Sequence, residues 1–321
     1  MKVMMDTNDP CFVFGLDLDS KGGATNLVNE SIDGSWVHID YGHPSANDFL
    51  KNQGLPERIV NSLVQPDTRP RTVISKEGTL VFIRGINLNP GADPEDMVSL
   101  RMWITDGRLI TVRQRPLLSL QDIRSDLFSG DGPISIPDLV ITIIGRIANR
   151  ISDYVNGIED QLETMETSIQ TQQEKGARSR LSAIRREIAS VRRYLAPQRE
   201  ALDSLYTHSI TSMPEGYPYR LREQMDRMIR YLEDLDLIRE RTLVLQEEWM
   251  NIAMEQQNTR MYALSIVALI FLPITFVTGI FGMNVAGLPG IENPDAFYLV
   301  TGSMTAIAIA VIALLKFKKW F

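Results

Sequence analysis

The spacing of hydrophobic positions changes along the chain. Up to about residue 115 they form short runs bounded by Gly, Pro, Asn and Asp and rich in residues that favour strands. These runs predict strands at residues 12–18, 35–41, 79–86, 99–105 and 109–115. Short helices are predicted at 46–53 and 56–65. We therefore expect an α+β (mixed α/β) domain over residues 1–135.

A spacing of three or four residues, typical of amphipathic helices, replaces these runs after residue 135. Apolar positions hold it from Ile143 to Ile169 and predict one long helix. A second helix is predicted from about Ala177, with Pro197 expected to kink it or end it locally. A third is predicted from about Tyr219 to Gly282 without a break. We interpret residues 136–260 as a long-helix cytoplasmic stalk.

Two uncharged segments occupy most of the last sixth of the chain. Residues 261–282 and 296–315 contain no Asp, Glu, Lys or Arg, and about 20 helical residues suffice to cross the hydrocarbon core of a bilayer. The connection at 283–295 has no Lys or Arg, whereas Arg260 directly precedes the first segment and Lys316 directly follows the second. The positive-inside rule then predicts that both termini are cytoplasmic. Residues 261–321 are thus a predicted transmembrane domain with an outer loop at 283–295.

Charge and missing motifs exclude several classes of function. Residues 1–260 hold 30 basic and 38 acidic side chains, a balance that disfavours binding to nucleic acid. The chain has no GxxxxGK[ST] motif, and no GxGxxG follows a strand, so no nucleotide is predicted. No arrangement of nucleophile, base and orienting group indicates an enzyme, and no cofactor is expected. The N-terminus lacks the apolar core of a signal peptide, which predicts a cytoplasmic N-terminal part.

The outer end of the first span carries the motif Gly279-Ile280-Phe281-Gly282-Met283-Asn284. Glycines there permit close backbone approach, and the Asn284 amide oxygen can face a hydrated cation. The alternative is a glycine-bearing helix end with Asn284 as a cap. Two spans cannot enclose a polar path through lipid. Transport would therefore require several copies of the chain.

Gly282-Met283-Asn284, placed after a long stalk helix and before a second span, resembles the CorA superfamily of divalent-cation channels and transporters. The likeness extends to Thr68–Arg71, Arg113–Arg115 and Arg192–Arg199. It implies a funnel-shaped homopentamer in a bacterial inner membrane. The first spans would line the pore, and the second spans would face lipid.

The loop departs from the pattern usual in magnesium-type members, which place an acidic run soon after the Asn. Here the loop reads VAGLPGIENPD, with Glu292 and Asp295 as its only acidic residues. This departure resembles the ZntB-type zinc transporters and favours zinc as the transported ion. Magnesium, cobalt and nickel stay open, and so does a membrane-anchored metal sensor or scaffold without transport.

A stripe of small, polar or flexible residues follows the helical period of the first span. It consists of Asn258, Met261, Ser265, Ala268, Leu272, Thr275 and Gly279. Such a stripe suits tight helix packing as well as a pore wall, and the family resemblance favours the pore. Met261 and Leu272 would then be hydrophobic constrictions. Further along, Glu247 from five copies could form an acidic ring at the inner mouth, or could belong to a solvated face.

Residues that bind zinc are scarce before the spans. His38, Asp40 and His43 are close in sequence, but no Cys or further His lies near them, so no zinc site is assigned to them. His208 and Cys11 stand alone, and the identity of any metal ligands is left unknown. Because neither span holds a carboxylate or histidine, the ion is expected to pass hydrated.

Overall fold

The computed structural model describes residues 7–27, 34–66, 68–171, 176–212, 214–283, 285, 288, 290 and 293–317, with only the backbone of 210–212. The chain forms two compact units, Met1–Gln246 and Glu247–Phe321. Helix α6 contributes residues to both units.

A seven-stranded sheet is the centre of the first unit. Its strands are β1 (Phe12–Leu18), β2 (Ala24–Asn26), β3 (Ser35–Asp40), β4 (Arg71–Ser75), β5 (Gly78–Gly85), β6 (Val98–Ile104) and β7 (Arg108–Arg113). They lie in the order β2-β1-β3-β7-β6-β5-β4. Only the central pair β3 and β7 is parallel, with Val37 opposite Ile110. This parallel pair joins two antiparallel groups into one sheet.

All five predicted strands are confirmed, and the sequence missed the two at the edges of the sheet. β2 has only three residues, too few for a periodic signal. β4 leaves Val73 and Ile74 exposed, so it lacks the alternation of a half-buried strand. Edge strands have one neighbour and bury less, which explains why their patterns are weak.

In the described part of the first unit, six helices begin. They are α1 (Ala46–Asn52), α2 (Glu57–Val64), α3 (Leu118–Ser129), α4 (Ile136–Gln170), α5 (Ala177–Ser212) and α6 (Tyr217–Phe281). The predicted short helices α1 and α2 and the three long ones are confirmed. α3 was missed, and the expectation that Pro197 could end its helix is wrong, because α5 continues through it.

The long helices bury the residues that set their period. In α4, apolar side chains from Ile143 to Ile169 are buried at the predicted spacing. Ser135 begins α4 as its N-cap and accepts a hydrogen bond from the Asp138 N–H. Arg241 of α6 bridges Glu159 and Glu166 of α4, each at 3.1 Å. These contacts fix the first part of α6 against the long helices that precede it.

The second unit contains the remainder of α6 and the helix α7 (Ala296–Phe317). Both helices have the length and apolar composition needed to cross a membrane. Nearly all of their side chains are exposed or half-buried within the unit. An apolar surface of this extent requires lipid or further protein around it.

Candidate ion pathway

The predicted stripe of the first span is exposed along its whole length. All seven residues from Asn258 to Gly279 lie on the exposed surface of the second unit. Met261 is 58% exposed and Leu272 is 71% exposed. Around Gly279, an added Cβ would find no neighbouring atom within 4 Å. The stripe is therefore not used for packing inside one copy of the second unit.

A different face of the same helix is half-buried. It includes Ile266, Ile270, Ile274, Val277 and Ile280, again three or four residues apart. In α7 the half-buried positions Met304, Ile307, Ala308 and Val311 share one face as well. On each helix the half-buried residues recur every three or four positions, as expected for a helix that packs along one of its faces. Successive helical residues differ by about 100°, which places the stripe roughly opposite the half-buried face of α6.

Helix α6 ends close to the predicted outer mouth. Its last residue is Phe281, and the Gly282 N–H donates to the Thr278 carbonyl at 2.8 Å. Met283 follows with its side chain about half exposed. Asn284, predicted as the ion-facing residue of the motif, lies outside the described residues, as does Glu292.

Only neutral oxygen atoms are available to an ion along the described stripe of the span. On the stripe, the Ser265 hydroxyl donates to the Met261 carbonyl at 2.9 Å, and its oxygen lone pairs can still accept. Neutral oxygen donors suit a cation that keeps much of its hydration shell, because they bind weakly enough to release it.

Glu247 is the first residue of the second unit and is exposed. Met254, which lies between it and the span on the extended stripe, is also exposed. Arg260 is exposed next to the start of the span. The structure thus leaves Glu247 accessible and without a described ion pair, and it brings no second acidic residue to the stripe within one copy.

The histidines of the first unit are engaged in other contacts. His38 is buried in β3, and its Nδ1 lies 2.8 Å from the Thr111 hydroxyl. Burial, reinforced by the charge of Arg113, lowers the pKa of His38 to about 3. Asp40 accepts from the Gly42 N–H at 2.8 Å, and His43 Nδ1 lies 2.7 Å from the Ser45 hydroxyl.

Cys11 is equally unsuited to metal chemistry. It is buried, and its pKa is raised to about 12, mainly by desolvation. Over the described ranges, no group of three or more His, Cys, Asp or Glu residues is arranged to hold a metal ion.

Comparison with known families identifies the family of the chain. The family described as CorA-like Mg2+ transporter protein matches residues 33–319, which is most of the chain and includes both spans. The chain belongs to this family. The transporter moves divalent cations across a membrane, and it is not an enzyme.

Two relatives are similar to the transporter over most of its length. It is 37% identical over 298 residues to the divalent cation transporter CmaX of Pseudomonas aeruginosa. The aligned residues make up 89% of this chain and 90% of CmaX. It is 33% identical over 315 residues to the zinc transport protein ZntB of Yersinia enterocolitica, with 96% and 95% covered.

Solved structures agree with the fold. The full-length CmaX structure superposes with a TM-score of 0.83 at 35% identity and covers 98% of the transporter and 99% of CmaX. The CorA magnesium transporter of Methanocaldococcus jannaschii has a TM-score of 0.80 at 17% identity, covering 94% and 96% of the two chains. The second likeness concerns the fold alone.

Proposed function

We propose that the transporter carries zinc through a central pore formed by several copies of the chain. The family resemblance implies five copies. The observation that carries the pore is the exposed stripe from Asn258 to Gly279, which one copy leaves uncovered along a membrane span. Polar or flexible residues exposed on a span require a water-filled cavity or a neighbouring helix. Several first spans arranged around an axis supply both.

The preference for zinc rests on two observations. The relative named a zinc transport protein is 33% identical over 96% of the chain. The loop after the Gly282-Met283-Asn284 motif also lacks an acidic run. A broader divalent cation transporter is the second candidate, favoured by the 37% identity to CmaX.

In the proposed mechanism a hydrated ion is captured at the outer mouth by Asn284 and by backbone carbonyls of residues 282–284. It then moves along the stripe past Leu272 and Met261, where the pore is narrowest and most apolar. Glu247 from each copy attracts the cation at the inner end, because a ring of like charges concentrates ions of opposite sign. The ion keeps most of its water throughout.

For the membrane we propose a bacterial inner membrane with both termini in the cytoplasm. Arg260 and Lys316 flank the two spans on one side, and the loop between the spans contains no Lys or Arg. The division into soluble unit, stalk and spans at about residues 135 and 260 is part of this proposal. A protein labelled at the loop from outside intact cells, and not at the N-terminus, would support the orientation.

Reconstitution in liposomes tests the substrate. The full-length protein should admit zinc faster than magnesium, measured separately with and without a pH gradient. Asn284→Ala should abolish most of the flux, whereas Asn293→Ala, a matched change at an exposed residue of the same loop, should retain it. Flux of magnesium far above zinc would replace zinc as the substrate. No flux of any divalent ion would contradict transport and favour the sensor alternative.

A further inference from the structure

The first unit contains a polar cavity of about 190 Å³ that the ion pathway does not use. Its wall includes Arg84 of β5, Arg101 of β6, Arg115 just after β7 and Tyr194 of α5. Tyr41, just after β3, completes the side nearest Arg101. This volume exceeds that needed for a single water, about 10–15 Å³ on a comparable measure. The cavity can therefore hold a ligand of several atoms.

A buried positive charge forms part of this wall. Arg101 is 0% exposed, and its Nη2 donates to the Tyr41 hydroxyl at 2.8 Å. Its Nη1 donates to the Leu63 carbonyl, while its Nε–H has no acceptor among the described residues. No described carboxylate forms an ion pair with it; its guanidinium instead stacks on the Tyr41 ring, 3.9 Å from the centroid. A buried charge without an opposite charge is costly, so a site of this kind favours an anion nearby.

A second buried guanidinium group, that of Arg84, also lines the cavity. Arg84 is buried, stacks 4.1 Å from the centroid of the Tyr194 ring and donates to the Thr68 and Met97 carbonyls. Desolvation lowers the pKa of Arg101, and the charges of Arg84 and Arg71 lower it further, as expected where positive groups are crowded. The cavity is thus lined by two buried guanidinium groups.

Among the described residues that line the cavity, one is acidic. Asp96 accepts from Arg115 at 2.5 Å, and both side chains are substantially exposed. Arg115 thus has an opposite charge beside it, whereas the buried Arg101 has none among the described residues. An anion in the cavity would lie near the Arg101 charge, in a setting where charges are only partly screened.

The donors that face the cavity define the kind of anion. Guanidinium N–H groups match the geometry of oxyanions. Gln114 accepts from the Tyr41 hydroxyl through its Oε1 at 3.1 Å, so its amide N–H groups are directed elsewhere and can donate. Both tyrosine rings already have a guanidinium over a face, which leaves less room for stacking an aromatic base.

We propose that this cavity binds a phosphate-class anion, either inorganic phosphate or a small phosphate monoester. The structure brings together here members of three stretches that are far apart in sequence, Thr68, Gln114 with Arg115, and Tyr194. The site lies within the first unit and is independent of which cation the spans carry. Its occupation would tie the stability of the soluble unit to the phosphate concentration.

Thermal unfolding of the full-length protein in detergent tests this site. Sodium phosphate is titrated at constant ionic strength, with sodium chloride making up the difference, and glycerol 3-phosphate is titrated in parallel. The unfolding midpoint should rise and saturate. A response to glycerol 3-phosphate alone would assign the site to a monoester, and a response to inorganic phosphate would assign it to the free ion.

Variants locate the effect. Arg115→Gln at the rim should weaken the apparent affinity about 10- to 100-fold, the size expected for losing a charge-assisted hydrogen bond. Its midpoint without phosphate should stay near that of the unmodified protein, which shows that it folds. Arg58→Gln is the matched control, because Arg58 is an exposed arginine whose partner Glu77 lies outside the cavity lining. An unsaturable rise, an equal rise with chloride, or an unchanged response in Arg115→Gln would overturn the proposal.

Discussion

His38 illustrates how a residue that can bind metal is given a structural role. It lies inside the sheet between β1 and β7, close to the Thr111 hydroxyl, which also accepts from the Trp36 indole N–H at 2.8 Å. The Phe14 ring lies 4.9 Å from the imidazole, between centroids. Burial keeps the imidazole neutral, and the nearby charges of Arg113 and Arg124 disfavour a cation beside it.

The neutral state of His38 makes the first unit sensitive to acid. The unfolded chain protonates this histidine near its ordinary pKa of 6.5, whereas the folded chain does so only near 3. The unfolded state therefore binds more protons in between, and the free energy of unfolding falls as pH drops below about 6.5. At pH 5 the loss from this group is about 2 kcal/mol. Chemical unfolding followed between pH 7 and pH 5 measures it.

Replacing His38 separates this contribution from those of other groups. His38→Gln should be less stable at pH 7 but should show a shallower decline toward pH 5. His43→Gln, a matched change at an exposed histidine, should keep the slope of the unmodified protein. Equal slopes in His38→Gln and the unmodified protein would show that His38 is not held neutral.

At the scale of elements, helix α6 presents two distinct faces within one membrane span. The half-buried face is rich in β-branched residues, and the opposite stripe holds small, hydroxyl-bearing and flexible ones. Leu272 is the largest exposed aliphatic side chain of that stripe in the middle of the span. A ring of such side chains can exclude water from a narrow pore.

Leu272→Ser should therefore raise the basal zinc flux severalfold, because a hydroxyl wets the constriction. Leu314→Ser makes the same substitution in α7, where the side chain is 57% exposed and is proposed to face lipid. That control should leave the flux nearly unchanged. Liposome uptake with a zinc-sensitive dye compares the two, and equal effects would place Leu272 away from the ion path.

At the scale of the whole molecule, the second unit is incomplete as a single copy. Nearly all residues of its two helices are exposed or half-buried, and every stripe residue is exposed within the described part of the unit. The proposed association of several copies around the stripe would supply a wall on every side of a polar path.

A single introduced cysteine tests this assembly. Thr275→Cys on the stripe should form disulfide-linked dimers under mild oxidation, because neighbouring copies bring the same position close to the axis. The native Cys11 should not interfere, since it is buried and its pKa is raised to about 12. Leu314→Cys should cross-link far less.

Native mass spectrometry of the unmodified protein gives the number of copies, and five are expected. A monomer, or stronger cross-linking at residue 314 than at 275, would contradict a pore lined by the first spans.

The sequence could predict those features that repeat along the chain. Strands β1, β3, β5, β6 and β7 and the long helices have enough buried positions to establish a period, and the two spans are long runs without charge. Helix α3 was missed because its buried residues are few, Ser119, Leu120, Ile123 and Leu127. The Gly282-Met283-Asn284 motif predicts the outer mouth, and this stays a prediction, because Asn284, the side chain proposed to meet the ion, lies outside the described residues.

By itself the sequence determined the membrane spans, the long helices and the family, because hydrophobic length, helical period and local motifs are properties of consecutive residues. Only the tertiary structure decided that β3 and β7 lie side by side in parallel, which depends on contacts between residues some 70 positions apart. It also decided that Arg84, Arg101 and Arg115 share one cavity. Each arginine alone has the pattern of an ordinary strand or turn residue, and their combined charge exists only once the sheet has brought them together.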